Sequence, residues 1–186
     1  DYDIKHYEQG EAPDYDRSAW KDEKFNLGLD FPNIPYLIQG DFKMTETFPI
    51  AFYLADKYRP EILGATPEER AIVSMVTAQI ADAKKAVSPL CYMNSDKSVC
   101  LEEAWKRLPP IAKFLGDKKF FMGEKITMPD LVIVELIKFV NAVDGGSTLK
   151  DKYPTLQAHH DVVCDLAEIK AFESSDRCEK LSFNNK

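Results

Sequence analysis

Apolar residues recur at three- and four-residue spacing through the second part of the chain, and at shorter, turn-broken intervals through the first. Ile72, Val76, Ile80, Ala83 and Val87 share one helical face. Thr66-Pro67-Glu68-Glu69 starts that helix, with Thr66 as N-cap, Pro67 at the first helical position and Glu69 completing a capping box. Leu101, Trp105, Leu108 and Ala112 mark a second helix, which Pro109-Pro110 should bend. A third opens at Thr127-Met128-Pro129-Asp130, where Asp130 reaches back to the amide of the cap, Thr127. Its body, Leu131 to Val143, is apolar on nearly every side, which predicts burial at the centre of a bundle. A last helix follows Tyr153-Pro154 and carries Val162, Val163 and Leu166, with Ile169 and Phe172 continuing its apolar face.

The earlier residues have a different texture. Ile4 to Tyr7 reads as a strand, Gln9 to Asp16 as a turn-rich loop, and Ser18 to about Asn26 as a short helix. Pro35-Tyr36-Leu37-Ile38 and Phe42-Lys43-Met44 flank Gln39-Gly40-Asp41, which predicts a hairpin. A helix then runs from Thr45-Glu46-Thr47 to about Lys57, with Pro49 tolerated in its first turn. Leu63-Gly64-Ala65 loosens the chain between the two textures. The expected organisation is an α/β domain over residues 1–63 and an all-α domain over 64–186.

Charge and composition narrow the partners. With 24 Lys plus Arg against 31 Asp plus Glu the net charge is -7, so nucleic acid and anionic membrane surfaces are poor partners. Hydrophobic residues at 45% and charged residues at 30% are those of a globular chain, and no apolar stretch approaches the roughly 20 residues that a bilayer requires. Cys91, Cys100, Cys164 and Cys178 form no CxxC pair, and His6, His159 and His160 are read as lacking a Cys or Asp at ligand spacing. The cysteines are therefore expected to be reduced thiols of a cytoplasmic protein, with no metal site. The sequence has no initiator Met and starts close to a possible strand, so a preceding segment is expected.

Three stretches carry a specific resemblance. Gln9-Gly10-Glu11-Ala12-Pro13-Asp14-Tyr15-Asp16-Arg17-Ser18-Ala19-Trp20, then Glu23-Lys24-Phe25, then Leu27-Gly28-Leu29-Asp30-Phe31-Pro32-Asn33-Ile34-Pro35-Tyr36-Leu37-Ile38, closely resemble the mu class of cytosolic glutathione transferases. The likeness continues through Glu46-Thr47, Leu90-Cys91-Tyr92, Phe114-Leu115-Gly116, Phe121 to Thr127 with Asp130, and Tyr153-Pro154-Thr155-Leu156. It implies a thioredoxin-like domain that binds glutathione, followed by a helical bundle that shapes the electrophile site. It also implies a dimer of identical chains, with Phe31 inserted as a wedge into the partner.

The resemblance implies site roles as well. An anionic tripeptide needs cations, helix ends and backbone groups. Arg17, Trp20 and Lys24 are expected on one helical face at the glycyl end, and Asn33, Ile34 and a cis Pro35 at the cysteinyl unit. Glu46 and Thr47 are expected at the γ-glutamyl end, where the family more often shows Gln then Ser. Asp82 should reach the partner subunit's glutathione, and Tyr92 should overhang the electrophile. Glutathione is then a co-substrate with hydrophobic electrophiles, and no cofactor is implied. The family's thiol-activating Tyr matches no residue of this chain and is expected upstream of Asp1, since the resemblance places the opening residues at the second strand. The alternative is a glutathione-transferase-like binding or structural subunit without turnover.

Overall fold

The computed structural model describes residues 2–11, 13–93, 95–146 and 148–178, apart from the side chain of Tyr92. The chain divides into two compact units, one ending at Arg59 and the other starting at Pro60.

The first unit holds helix α1 (Ser18–Lys21), strands β1 (Tyr36–Gln39) and β2 (Phe42–Thr45), and helix α2 (Thr47–Tyr58). The strands form an antiparallel hairpin in the register Tyr36 with Thr45 and Gln39 with Phe42, leaving Gly40-Asp41 as a two-residue turn. Gly40 sits at φ 60, a conformation that glycine adopts without a Cβ penalty. The expected strand at Ile4 to Tyr7 is not formed: these residues run as irregular chain, with no strand beside them to accept their backbone hydrogen bonds. Two strands and a few short helical turns enclose little. In this unit only Leu29 and Ala55 are buried among the described residues, and Ile34, Ile38, Phe42, Leu54 and Tyr58 are exposed.

The second unit opens on a 3₁₀ turn, Pro60–Leu63, and continues as α3 (Pro67–Val87), α4 (Pro89–Tyr92), α5 (Lys97–Leu115), α6 (Met128–Asp144), α7 (Thr148–Lys152), α8 (Pro154–Cys164) and α9 (Ala167–Glu173). α3 begins as expected at Thr66, whose hydroxyl accepts from the Glu69 amide at 3.2 Å. The Glu69 carboxylate closes the cap one residue further back than expected, on the Ala65 amide at 2.7 Å. Gly64 makes that tight entry possible. It sits at φ +100, and a Cβ there would lie 2.9 Å from the Arg70 nitrogen.

The core is built where the apolar stripes converge. Val76, Ile80, Ala83 and Val87 of α3 pack with Leu101, Ala104 and Leu108 of α5 and with Ile133, Leu136, Ile137 and Val140 of α6. α6 is the central helix, packed against α3, α5, α7 and α8.

α5 runs through both prolines without ending. Pro109 has no N–H for the carbonyl four residues back, that of Trp105. The Tyr153 hydroxyl donates to that carbonyl at 3.0 Å instead, and the Trp105 and Tyr153 rings stack at 6.2 Å. The expected last helix is divided into α8 and α9 by Asp165-Leu166, and α7 precedes it, with Leu149 fully buried. Val163 is buried as expected; Val162, its neighbour on α8, is exposed, and so is Phe172 on α9, beyond the break.

Asp130 ties α6 to α8 and to the loop at Phe121. Its fully buried carboxylate accepts from the Thr127 amide at 2.7 Å and the Thr127 hydroxyl at 2.8 Å, which closes the expected capping box. The other oxygen accepts from the Phe121 amide at 2.8 Å and lies 2.7 Å from His159 Nε2 of α8.

Candidate functional site

Asp16 starts α1: its carboxylate accepts from the Ser18 amide at 3.1 Å and from the Ser18 hydroxyl, and these bonds hold its carboxyl below the usual range. The helix is shorter than the sequence predicts and ends at Lys21. Beyond it, both the Glu23 and Lys24 amides turn onto the Trp20 carbonyl, at 3.2 and 2.9 Å, and the Asn26 side chain closes on the Asp22 carbonyl at 3.1 Å. Arg17, Trp20 and Lys24 thus lie one turn apart on a helix-plus-turn segment, with Arg17 exposed at the N-cap and Trp20 half-buried. The Lys24 ammonium lies over the Phe25 ring, 4.8 Å from its centroid.

Trp20 connects this segment to the hairpin. Its indole stacks on Tyr36 at 6.0 Å and meets Tyr7 edge-on at 5.0 Å, and the Tyr7 and Tyr36 hydroxyls are 2.9 Å apart. Tyr36 directly follows the Ile34–Pro35 bond, which is cis. The aromatic cluster therefore ties Trp20 to Tyr36, the residue next to the turn that carries Asn33, Ile34 and Pro35.

A second link joins that turn to α2. Asn33 Nδ2 donates to Glu46 Oε1 at 3.0 Å, and Asn33 Oδ1 accepts from the Ile34 amide at 2.9 Å. Glu46 sits in a left-handed conformation, φ 79, immediately before Thr47 opens the helix. A non-glycine residue there costs about 1–3 kcal/mol and is held by its surroundings, here the Asn33 amide. Asn33, Ile34, Pro35, Glu46 and Thr47 are all exposed, so their polar groups face solvent at the amino end of α2.

Two phenols, a carboxylate and an ammonium shape the local charge. Burial first, then the hydrogen bonds to Tyr36 and Glu23, push the Tyr7 hydroxyl up. The Lys5 ammonium, hydrogen-bonded to Glu23, holds that carboxylate down.

Phe31 is 80% exposed. Asp82, exposed on α3, accepts from Lys85 Nζ at 3.2 Å. Tyr92 is the last residue of α4, and its side chain lies outside the described ones.

One grouping escaped the sequence reading. His160 does have a cysteine at ligand spacing: Cys164 follows four residues later on α8, with Sγ 3.5 Å from Nε2. The four-residue interval in a helical segment was the available signal. Among the described residues no set of three or more His, Cys, Asp or Glu side chains is placed to hold a metal ion. No helix among them is long and apolar enough to cross a membrane.

Comparison with known proteins bears on the whole chain. Residues 1–56 match the family described as Glutathione S-transferase, N-terminal domain, and residues 81–176 match Glutathione S-transferase, C-terminal domain. Glutathione S-transferase Mu 5 of Rattus norvegicus is 39% identical over 188 residues, covering 100% of this chain and 82% of that protein. Glutathione S-transferase Mu 3 of Homo sapiens is 37% identical with the same coverage. Among solved structures, that of the glutathione S-transferase Blo t 8 superposes with a TM-score of 0.76 at 25% identity, covering 90% of this chain and 79% of that one.

Proposed function

We propose that this chain, which belongs to the glutathione S-transferase family and is mu-like along its length, conjugates the thiol of glutathione to hydrophobic electrophiles in detoxification. The observation that carries the reading is the convergence of Trp20, the cis Ile34–Pro35 turn and the Asn33–Glu46 pair around one exposed surface of the α/β unit.

Glutathione is then read along that surface. Arg17 and Lys24 supply positive charge to the glycyl carboxylate, and the Trp20 indole N–H adds a donor. The backbone around Ile34 pairs with the cysteinyl unit, which sets the sulfur. The Thr47 hydroxyl and amides at the start of α2 take the γ-glutamyl carboxylate. Glu46, held by Asn33, accepts from the γ-glutamyl ammonium, so its extra negative charge serves the amine end of the ligand. Asp82 is assigned to the neighbouring subunit's glutathione and Tyr92 to the electrophile. Phe31, with its ring in solvent, is assigned as the wedge of a homodimer.

Catalysis requires the thiolate. A thiol of pKa about 8.5 is a few per cent ionised at neutral pH, and lowering it by two units is worth about 2.7 kcal/mol. Tyr7 is poorly suited to that donation: its hydroxyl is engaged with Tyr36, and its raised pKa makes it a weaker donor to sulfur. The activating Tyr is assigned to a position upstream of Asp1, as the resemblance implies. The protein is assigned to the cytoplasm, with glutathione as co-substrate and no cofactor.

The test is retention on immobilised glutathione, followed by a conjugation assay with a chlorinated nitroaromatic. Retention with turnover is the expected result. Retention without turnover refutes the catalytic part, and failure of both refutes the glutathione site.

A further inference from the structure

We propose that His160 and Cys164, at the carboxyl end of α8, form a two-point capture site for a thiophilic divalent cation of the zinc class. Zn–S and Zn–N bonds of about 2.3 and 2.0 Å at a tetrahedral angle put the two ligand atoms about 3.5 Å apart. Cys164 Sγ and His160 Nε2 are 3.5 Å apart.

The imidazole is also oriented as a ligand. Nδ1 lies 2.9 Å from Asp161 Oδ1 and 3.4 Å from Gln157 Nε2, which itself donates to that carboxylate oxygen at 2.9 Å; an Nδ1–H donated to the carboxylate presents the Nε2 lone pair to sulfur. Gln157 is itself fixed, its Oε1 accepting from Asn141 Nδ2 at 3.1 Å. A carboxylate behind a ligating histidine fixes the tautomer and raises the basicity of the ligand.

The surroundings favour a cation at this point. Cys164 is the last residue of α8, where the helix dipole presents its negative end. Binding releases the thiol proton to solvent and forms one S–metal and one N–metal bond. Water fills the remaining positions, because no third side-chain ligand joins the pair among the described residues.

The experiment uses the full chain, freed of glutathione, which would otherwise compete for the metal. Zn²⁺ at micromolar concentration is titrated while alkylation of each cysteine is followed by mass spectrometry, and Co²⁺ is added separately to report thiolate ligation by its charge-transfer absorption. Zinc should slow alkylation of Cys164 at least about tenfold and leave Cys91 unprotected, with one Co²⁺ per chain showing the thiolate band. Cys164→Ser and His160→Asn should each abolish the band, and Asp161→Asn should weaken binding by about 10–100-fold while the helical circular dichroism is unchanged. Absence of protection in the wild type overturns the proposal. So does a cobalt band that survives Cys164→Ser, or zinc protection that is equal in wild type and Asp161→Asn, the variant least able to disturb folding.

Discussion

Tyr153→Phe removes one oxygen and keeps the ring stacked on Trp105. What it deletes is the donor that the Trp105 carbonyl has in place of the amide lost at Pro109. Leaving a partly buried carbonyl without its donor costs about 1–2 kcal/mol. For a protein of this size each kcal/mol shifts Tm by roughly 2–4 °C, so a loss of about 2–8 °C is expected in a thermal melt followed by circular dichroism. Pro109→Ala supplies the control, since it returns an N–H to the helix within reach of the same carbonyl. In that background Tyr153→Phe should cost less than about 0.5 kcal/mol, giving a coupling of about 1 kcal/mol in a double-mutant cycle. Equal costs in the two backgrounds would refute the compensation argument and reduce the hydroxyl contact to incidental packing.

Trp20→Phe keeps an aromatic ring against Tyr7 and Tyr36 but removes the indole N–H; glutathione affinity measured by calorimetry should fall about tenfold, the effect of one charge-assisted hydrogen bond. Asp130→Asn offers an amide where the Phe121 and Thr127 donors and His159 meet two carboxylate oxygens, and urea denaturation should show a loss of about 3 kcal/mol. Asp96 caps α5, with bonds from the Ser98 hydroxyl first and then the Val99 and Ser98 amides holding its folded-state pKa down. Its stabilising contribution is therefore present above the unfolded value of about 3.9 and is lost as pH falls through the lower folded value. Asp96→Ala should flatten that acid limb of the stability profile measured by urea titration at successive pH values, and an unchanged limb would contradict the capping role.

The helical unit was largely legible because its signals are local. A capped start at Thr66, a capped start at Thr127 and an apolar stripe every three or four residues each specify a helix without reference to anything distant, and α3 and α6 begin and pack accordingly. The sequence was silent or misleading where a tertiary partner decides the outcome. The prolines at 109 and 110 are plain in it, but not that Tyr153, 44 residues beyond Pro109, takes over the orphaned Trp105 carbonyl. Ile4 to Tyr7 reads as a strand, but a strand exists only beside another, and among the described residues none pairs with it. The division of α8 from α9 turns on Leu166, whose extended backbone, φ -61 and ψ 138, no propensity scale would single out.

The candidate site was legible as residue types and not as contacts. Asn33 and Glu46 stand 13 residues apart, and nothing in their spacing announces that one amide holds the other's carboxylate at 3.0 Å. That contact changes the reading of Glu46. Taken from sequence, a carboxylate at this position could either repel the γ-glutamyl carboxylate or grip the ammonium; the bond from Asn33 and the positive φ just before α2 support the second role proposed for it. A flexible Glu would be free to swing toward the carboxylate and repel it, whereas an immobilised one discriminates between the two charges of the same amino-acid head group. On the proposed reading, removing the restraint on Glu46 with Asn33→Ala should loosen glutathione binding measured by calorimetry, although Asn33 carries no formal charge of its own.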